Sequence, residues 1–190
     1  MTWLALGLAL FLGIHLTRAF TPRWREAQIA RMGALGWKGF YTVVSLIGFL
    51  LILWGFQQAR LQPVVLWAPI RGMNHLAAML TLVAFVLLAA AYVPRNHLKA
   101  RLQHPMTLAV KTWALAHLLA NNTLADLMLF GSFLLWSVLV FRAARRRPAP
   151  PQPAPTAAGT AATVVVGIAA WAAMAFWLHA AWLGIAPLGR

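Results

Sequence analysis

The sequence predicts an all-α fold, a polytopic bundle of transmembrane helices, and three observations carry that prediction. Hydrophobic residues make up 62% of the 190 positions and charged residues only 9%, too little charge to cover a soluble domain of this length in water. The apolar residues gather into six runs close to the length that crosses a bilayer. The basic residues fall between those runs and not along one face of them.

A span needs about 20 apolar residues, because about 30 Å of hydrocarbon is crossed at about 1.5 Å per residue. The first run, Thr2 to Ala19, meets this. It lacks a basic leading region and a small-residue cleavage pattern near Leu16-Thr17-Arg18, so it is expected to stay as a membrane helix and not to leave as a signal peptide. From Thr21 to Lys38, the apolar Trp24, Ile29, Met32, Leu35 and Trp37 alternate with Arg23, Arg25, Arg31 and Lys38. That pattern predicts a short amphipathic helix on the membrane surface, its tryptophans at headgroup depth. The second run is Gly39 to Phe56, and the third is about Asn74 to Val93. Between them Val64 to Pro69 is apolar but too short to span, and suits a segment that dips into the interface or caps the bundle. The fourth run, Met106 to Ala120, is short and carries Lys111 and His117. The fifth is Thr123 to Phe141, stopped by the basic cluster Arg142 to Arg147. The tract Pro148 to Pro155 cannot be helical and predicts an extended, solvated linker. The sixth run is Ala162 to Ile185. The expected organisation is a five-helix membrane domain (residues 1–145), a Pro/Ala-rich basic linker (146–161) and a tethered sixth helix (162–190).

The net charge is +14. In a soluble protein this would suggest a nucleic-acid partner, but here the cations punctuate apolar runs and read as topology signals. Twelve of them fall in the loops after the first, third and fifth runs, against three, Arg60, Arg71 and Arg190, on the other side. The positive-inside rule then places the twelve in the cytoplasm, with both termini facing outward. The partner so implied is the lipid bilayer and no nucleic acid. The acids are Glu26 and Asp126 alone, so paired-carboxylate catalysis has no residues to use. The chain has no cysteine, which excludes disulfides, thiolate nucleophiles, iron–sulfur clusters and Cys-ligated zinc.

Polar side chains within spans are the informative ones, because hydrocarbon makes them costly. His15 lies near the inner end of the first run and His117 well inside the fourth. His75, His97 and His104 lie at interfaces, and His179 in the outer half of the sixth run. On the fourth helix, Trp113, His117 and Asn121 share one stripe, and His104 and Lys111 another. On the first, Gly7, Phe11, His15 and Arg18 form a stripe with little bulk at one end, which admits a close helix or a flat ligand. Two membrane histidines on different helices, with no acid nearby, suit axial ligation of a haem iron by neutral imidazole. A histidine that only hydrogen-bonds a neighbouring helix is the competing reading. The depths of His15 and His117, about 8 Å and about 16–18 Å from the inner surface, leave His104 as an alternative partner for His15.

Several stretches together resemble one family. They are Phe11-Leu12-Gly13-Ile14-His15, Trp37 to Ser45, Leu53-Trp54-Gly55, Asn74-His75-Leu76, Lys99 to Pro105 and Lys111 to Asn121. In this order and spacing they look like the NnrU family of bacterial membrane proteins, over about residues 1–141. The resemblance implies an association with nitrite and nitric oxide reduction in denitrifying bacteria. That family is similar in turn to zeta-carotene isomerase, a membrane protein with a bis-histidine haem b. Its pattern is matched here by His15, by His104-Pro105 and by Ala116-His117. On that likeness His15 and His117 are the expected axial ligands of haem b, with redox or isomerase-like chemistry as the implied activity; His104 and Lys111, on a second face near the inner surface, are then the expected partners for its propionates. Leu16 departs from the small polar residue more usual after the first histidine. The His104-Pro105 pair also resembles membrane methyltransferases of lipid or isoprenoid substrates, but the glycine and acids usual downstream are replaced by Met106-Thr107-Leu108. A third reading is a non-catalytic accessory or assembly factor.

The charge asymmetry makes a direct prediction. Alkaline phosphatase fused after Arg190 should be active if the C-terminus is periplasmic; a stably expressed but inactive fusion would refute the six-span, N-out topology.

Overall fold

The protein is described here from a computed structural model covering residues 1–148 and 151–188. Ala149 and Pro150 of the proline tract, and Arg190 of the charge count, lie outside the described residues. Among these the elements are α1 (Thr2–Phe20), α2 (Pro22–Leu61), α3 (Met73–Tyr92), α4 (His97–Leu102), α5 (Pro105–Ala120), α6 (Leu124–Arg145) and α7 (Ala157–Ala173). A π-helical turn (Met174–Leu178) then continues α7 into α8 (His179–Leu183). The segments Thr2–Phe20, Pro22–Leu61, Met73–Tyr92, Leu124–Arg145 and Ala157–Leu183 are long and apolar enough to cross a membrane. The chain is a multi-pass helical membrane protein. At 16 residues, α5 is only about 24 Å long. It is packed between α3 and α6, which shields much of it from lipid.

The amphipathic segment is the first arm of α2. Gly33 has φ 75° and ψ 165°, a left-handed backbone that a side chain would strain. In an unbroken helix Trp24 and Trp37 would lie about 20 Å apart, yet their ring centroids are 5.8 Å apart, nearly edge-on. The chain therefore folds sharply at Gly33. Arg25 stands over the Trp37 ring at 5.9 Å and helps hold the arm against the start of the span.

The helices pack in the order α2–α1–α6–α5–α3–α7. Glycines set the two ends of this row. A Cβ on Gly7 would lie 2.6 Å from the Ile52 nitrogen, and one on Gly48 would lie 2.7 Å from the Phe11 nitrogen. With Gly55 against Leu4, these contacts fix α1 antiparallel to α2 at backbone contact. At the other end a Cβ on Gly167 would lie 2.6 Å from Val86 Cα, so α7 sits equally close to α3. Alanines serve the middle, with Ala77, Ala84, Ala89 and Ala90 of α3 and Ala109, Ala114 and Ala116 of α5 all buried. The main apolar core joins Leu4, Leu8 and Leu12 to Ile52, Leu129 and Phe130.

The connections are tied down by specific hydrogen bonds. The segment before α3 caps the bundle: the Leu66 amide donates to Asn122 O (2.8 Å) and the Leu124 amide to Val64 O (2.9 Å). The proline tract ends on the α3–α4 turn, where the Thr156 amide donates to Arg95 O at 2.7 Å and the His97 amide to Thr160 Oγ1 at 3.0 Å. At the Arg-rich end, Arg147 donates to Arg18 O at 2.7 Å, one of the carbonyls a helix end leaves unpaired.

The α1–α2 contact generates a stability prediction. Gly7→Ala should push these helices apart and lower the thermal unfolding midpoint in detergent, with a cost of about 1–3 kcal/mol from overpacking. Gly13→Ala, which meets no atom within 4 Å, should leave the midpoint unchanged or raise it. Equal behaviour of the two variants would contradict the close approach.

Candidate functional site

The candidate site is organised by α6. Thr123 and Asp126 form a reciprocal capping box at its start, which occupies one of the two acids in a purely structural task. Phe130, Phe133 and Trp136 then recur every three residues and gather the aromatic side chains of α1 and α5. From the capped end, His117 stacks on Phe130 with centroids 4.5 Å apart. Trp113 packs edge-on to Phe133 at 5.6 Å, and Phe11 lies 6.0 Å from the same ring. Phe11 in turn lies 4.3 Å from His15, which is edge-on to Trp136 at 6.3 Å and 5.1 Å from Tyr41 of α2. At the Arg-rich end, Lys111 Nζ is 4.8 Å from the Phe141 centroid and the His104 ring is 6.1 Å from it.

The two embedded histidines are held alike. His15 Nδ1 is 2.6 Å from Phe11 O, and His117 Nδ1 is 2.9 Å from Trp113 O. A carbonyl oxygen can only accept, so Nδ1 carries a proton in each, and in the neutral ring the lone pair is then on Nε2. This is the second-shell arrangement that fixes ring orientation in metal-ligating histidines. Asn121 Nδ2 donates to His117 O at 2.9 Å, so the Trp113–His117–Asn121 stripe is a continuous hydrogen-bonded edge of α5.

The structure brings His104 and Lys111 together on Phe141. It does not bring His15 and His117 into contact. Their α6 neighbours, Trp136 and Phe130, are six residues apart, about 9 Å along the helix, and Phe133 packs between Phe11 and Trp113. Two imidazoles on one metal place their nitrogens about 4 Å apart. Among the described residues no group of three or more His, Asp or Glu is close enough to hold a metal ion. The other histidines are engaged elsewhere or exposed. His97 Nδ1 meets Thr160 Oγ1 at 2.7 Å, His179 Nδ1 meets Ile185 O at 2.7 Å, and His75 is exposed.

Tyr41 and Phe133 are site residues that sequence reasoning passed over, and Trp136 is one that it reads as interface belt and packing. The signal for Phe133 and Trp136 was the three-residue aromatic spacing of the fifth run. Ser45 Oγ, one helical turn beyond Tyr41, has that phenol as its partner, but Trp136 Nε1 is buried without one. Such a group costs about 1–3 kcal/mol when left unmet, which marks the surroundings of His15 as able to receive a polar ligand.

Among known proteins, the family model described as NnrU protein matches residues 3–187. The match takes in the linker and α7, beyond the residues 1–141 on which the motifs lie. No curated protein and no solved structure matches the chain.

Proposed function

This chain belongs to the NnrU family, and we propose that it is a haem-b-binding protein of the bacterial cytoplasmic membrane serving nitrite and nitric oxide reduction. In this reading the Arg-rich face is cytoplasmic, both termini are periplasmic, and His15 and His117 are the axial ligands. The observation that carries the reading is the shared state of the two imidazoles, each with Nδ1–H bonded to the carbonyl four residues before it and, in the neutral ring, a free Nε2 lone pair. The donor chemistry fits haem b: two neutral nitrogens in the apolar part of the bundle, and two basic side chains, His104 and Lys111, placed together toward the Arg-rich end. Bound there, haem would supply an iron able to take up electrons or diatomic ligands. The residues themselves would hold the group, orient the imidazoles, keep water away through the Phe11, Phe133 and Trp113 rings, and pair the propionates with charge. Trp136 Nε1–H would add a hydrogen bond beside His15.

One observation favours a second reading, a non-catalytic accessory factor with structural histidines. The Phe11, Phe133 and Trp113 rings form the chain of contacts between His15 and His117, and Phe133 stands at its middle. The absorption spectrum of the protein purified after haem-replete expression separates the two. The haem reading expects a low-spin bis-histidine spectrum, lost in His15→Ala and in His117→Ala and retained in His97→Ala. If both single variants kept the wild-type spectrum and haem content, the ligand assignment would fail. A wild type without haem would overturn the haem reading and favour the accessory one.

A further inference from the structure

Among the described residues the charges around Phe141 have no anionic partner. Lys111 Nζ of α5 lies 4.8 Å from the Phe141 ring centroid, and the Arg145 guanidinium of α6 lies 5.9 Å from it. His104, at the start of α5, meets the same ring edge-on at 6.1 Å. Three basic side chains thus converge on one aromatic ring. Neither acid of the chain is available to them. Glu26 sits exposed on the first arm of α2, and Asp126 belongs to the capping box at the opposite end of α6, about 28 Å along that helix from Arg145.

Lys111 is not an ordinary surface lysine. It stands six residues into α5, about 9 Å along the helix from Pro105, and is only partly exposed. A cation at that depth needs an anion that can reach it from the membrane boundary. Leu115 and Leu119 follow Lys111 at intervals of four on the same ridge of α5 and are exposed, at 43% and 37%. The ridge therefore offers cations at one end and an apolar track running deeper into the membrane. That is the shape of a phospholipid, its phosphate at the ring of cations and an acyl chain along the leucines. Basic pockets between membrane helices recognise anionic headgroups in this way. A zwitterionic lipid would bring its own ammonium toward Lys111 and Arg145, so the pattern selects a lipid of net negative charge.

We propose that Lys111, Arg145 and His104, gathered on Phe141, form a site for the phosphate of an anionic phospholipid, with its acyl chain on the Leu115–Leu119 ridge. This assignment gives Lys111 and His104 to the lipid phosphate in place of a haem propionate and leaves the axial role of His15 and His117 as it stands. The test uses the full-length protein in detergent, with phosphatidylglycerol or phosphatidylcholine added, read by native mass spectrometry and by the thermal unfolding midpoint. The wild type should retain phosphatidylglycerol through detergent removal and gain several degrees from it, but not from phosphatidylcholine. Lys111→Met with Arg145→Gln should lose the adduct and the gain, and Lys111→Arg should keep both, which separates loss of charge from loss of fold. Equal protection by the two lipids, or a phosphatidylglycerol-specific gain that survives in the double variant, would overturn the proposal. So would a double variant that keeps its lipid while its haem content falls, since the cations would then serve a cofactor carboxylate.

Discussion

Everything in this bundle depends on backbones that can touch. In lipid there is no hydrophobic drive to press one apolar helix against another, so association rests on close packing and on hydrogen bonds made within the protein. Gly7, Gly48 and Gly55 let α1 and α2 meet at backbone distance, and alanines do the same between α3 and α5. Because α1 is clamped to α2 in this register, Phe11 and His15 are delivered to α6 on a fixed face. The buried hydroxyls follow the same economy. Ser137 and Thr163 are fully buried, and each donates back to a carbonyl of its own helix at 2.8 Å. No polar group there depends on a neighbouring helix moving into place.

The second constraint is the near absence of acids. With Asp126 spent on a helix cap, several of the sixteen lysines and arginines meet carbonyls and aromatic rings instead of carboxylates. Arg147 takes Arg18 O, Arg60 takes Leu183 O at 3.2 Å, and Lys99 takes Ala91 O at 2.8 Å. These contacts seat cations at helix ends, where exposed carbonyls carry partial negative charge. Lys111 and Arg145 have only Phe141, a weaker partner than an anion. The same shortage bears on the histidines. No carboxylate is placed to fix the orientation of His15 or His117, so each turns to the carbonyl four residues back, and both emerge in one tautomer.

Most of the architecture was legible in the sequence, since hydropathy and length alone specify a membrane helix. Even the cap formed by Val64 to Pro69 and the folded arm before Gly39 were foreshadowed by apolar runs too short or too basic to span. The stripes read from helical periodicity correspond to contacts: Trp113–His117–Asn121 is hydrogen-bonded along α5, and His104 and Lys111 meet on one ring. What periodicity could not give was the relation between helices. It places Gly7 and His15 on one face of α1 but does not say that α2 takes the glycine end while α6 takes the histidine. Nor could it find the seat of α7, which depends on Gly159 and Gly167, two small residues in a run of small residues.

The vertical offset between His15 and His117 follows from the same packing. Phe133 contacts both Phe11 and Trp113, and each of these rings lies one turn before the histidine on its own helix. Since α1 runs parallel to α6 and α5 antiparallel to it, as their ring contacts show, one turn beyond Phe133 leads toward the Arg-rich end on α1 and toward the capped end on α5. The histidines are thereby carried apart from a common ring, one toward Trp136 and the other toward Phe130. Phe133, where the two helices share their contact, is thus the ring from which both histidines are spaced.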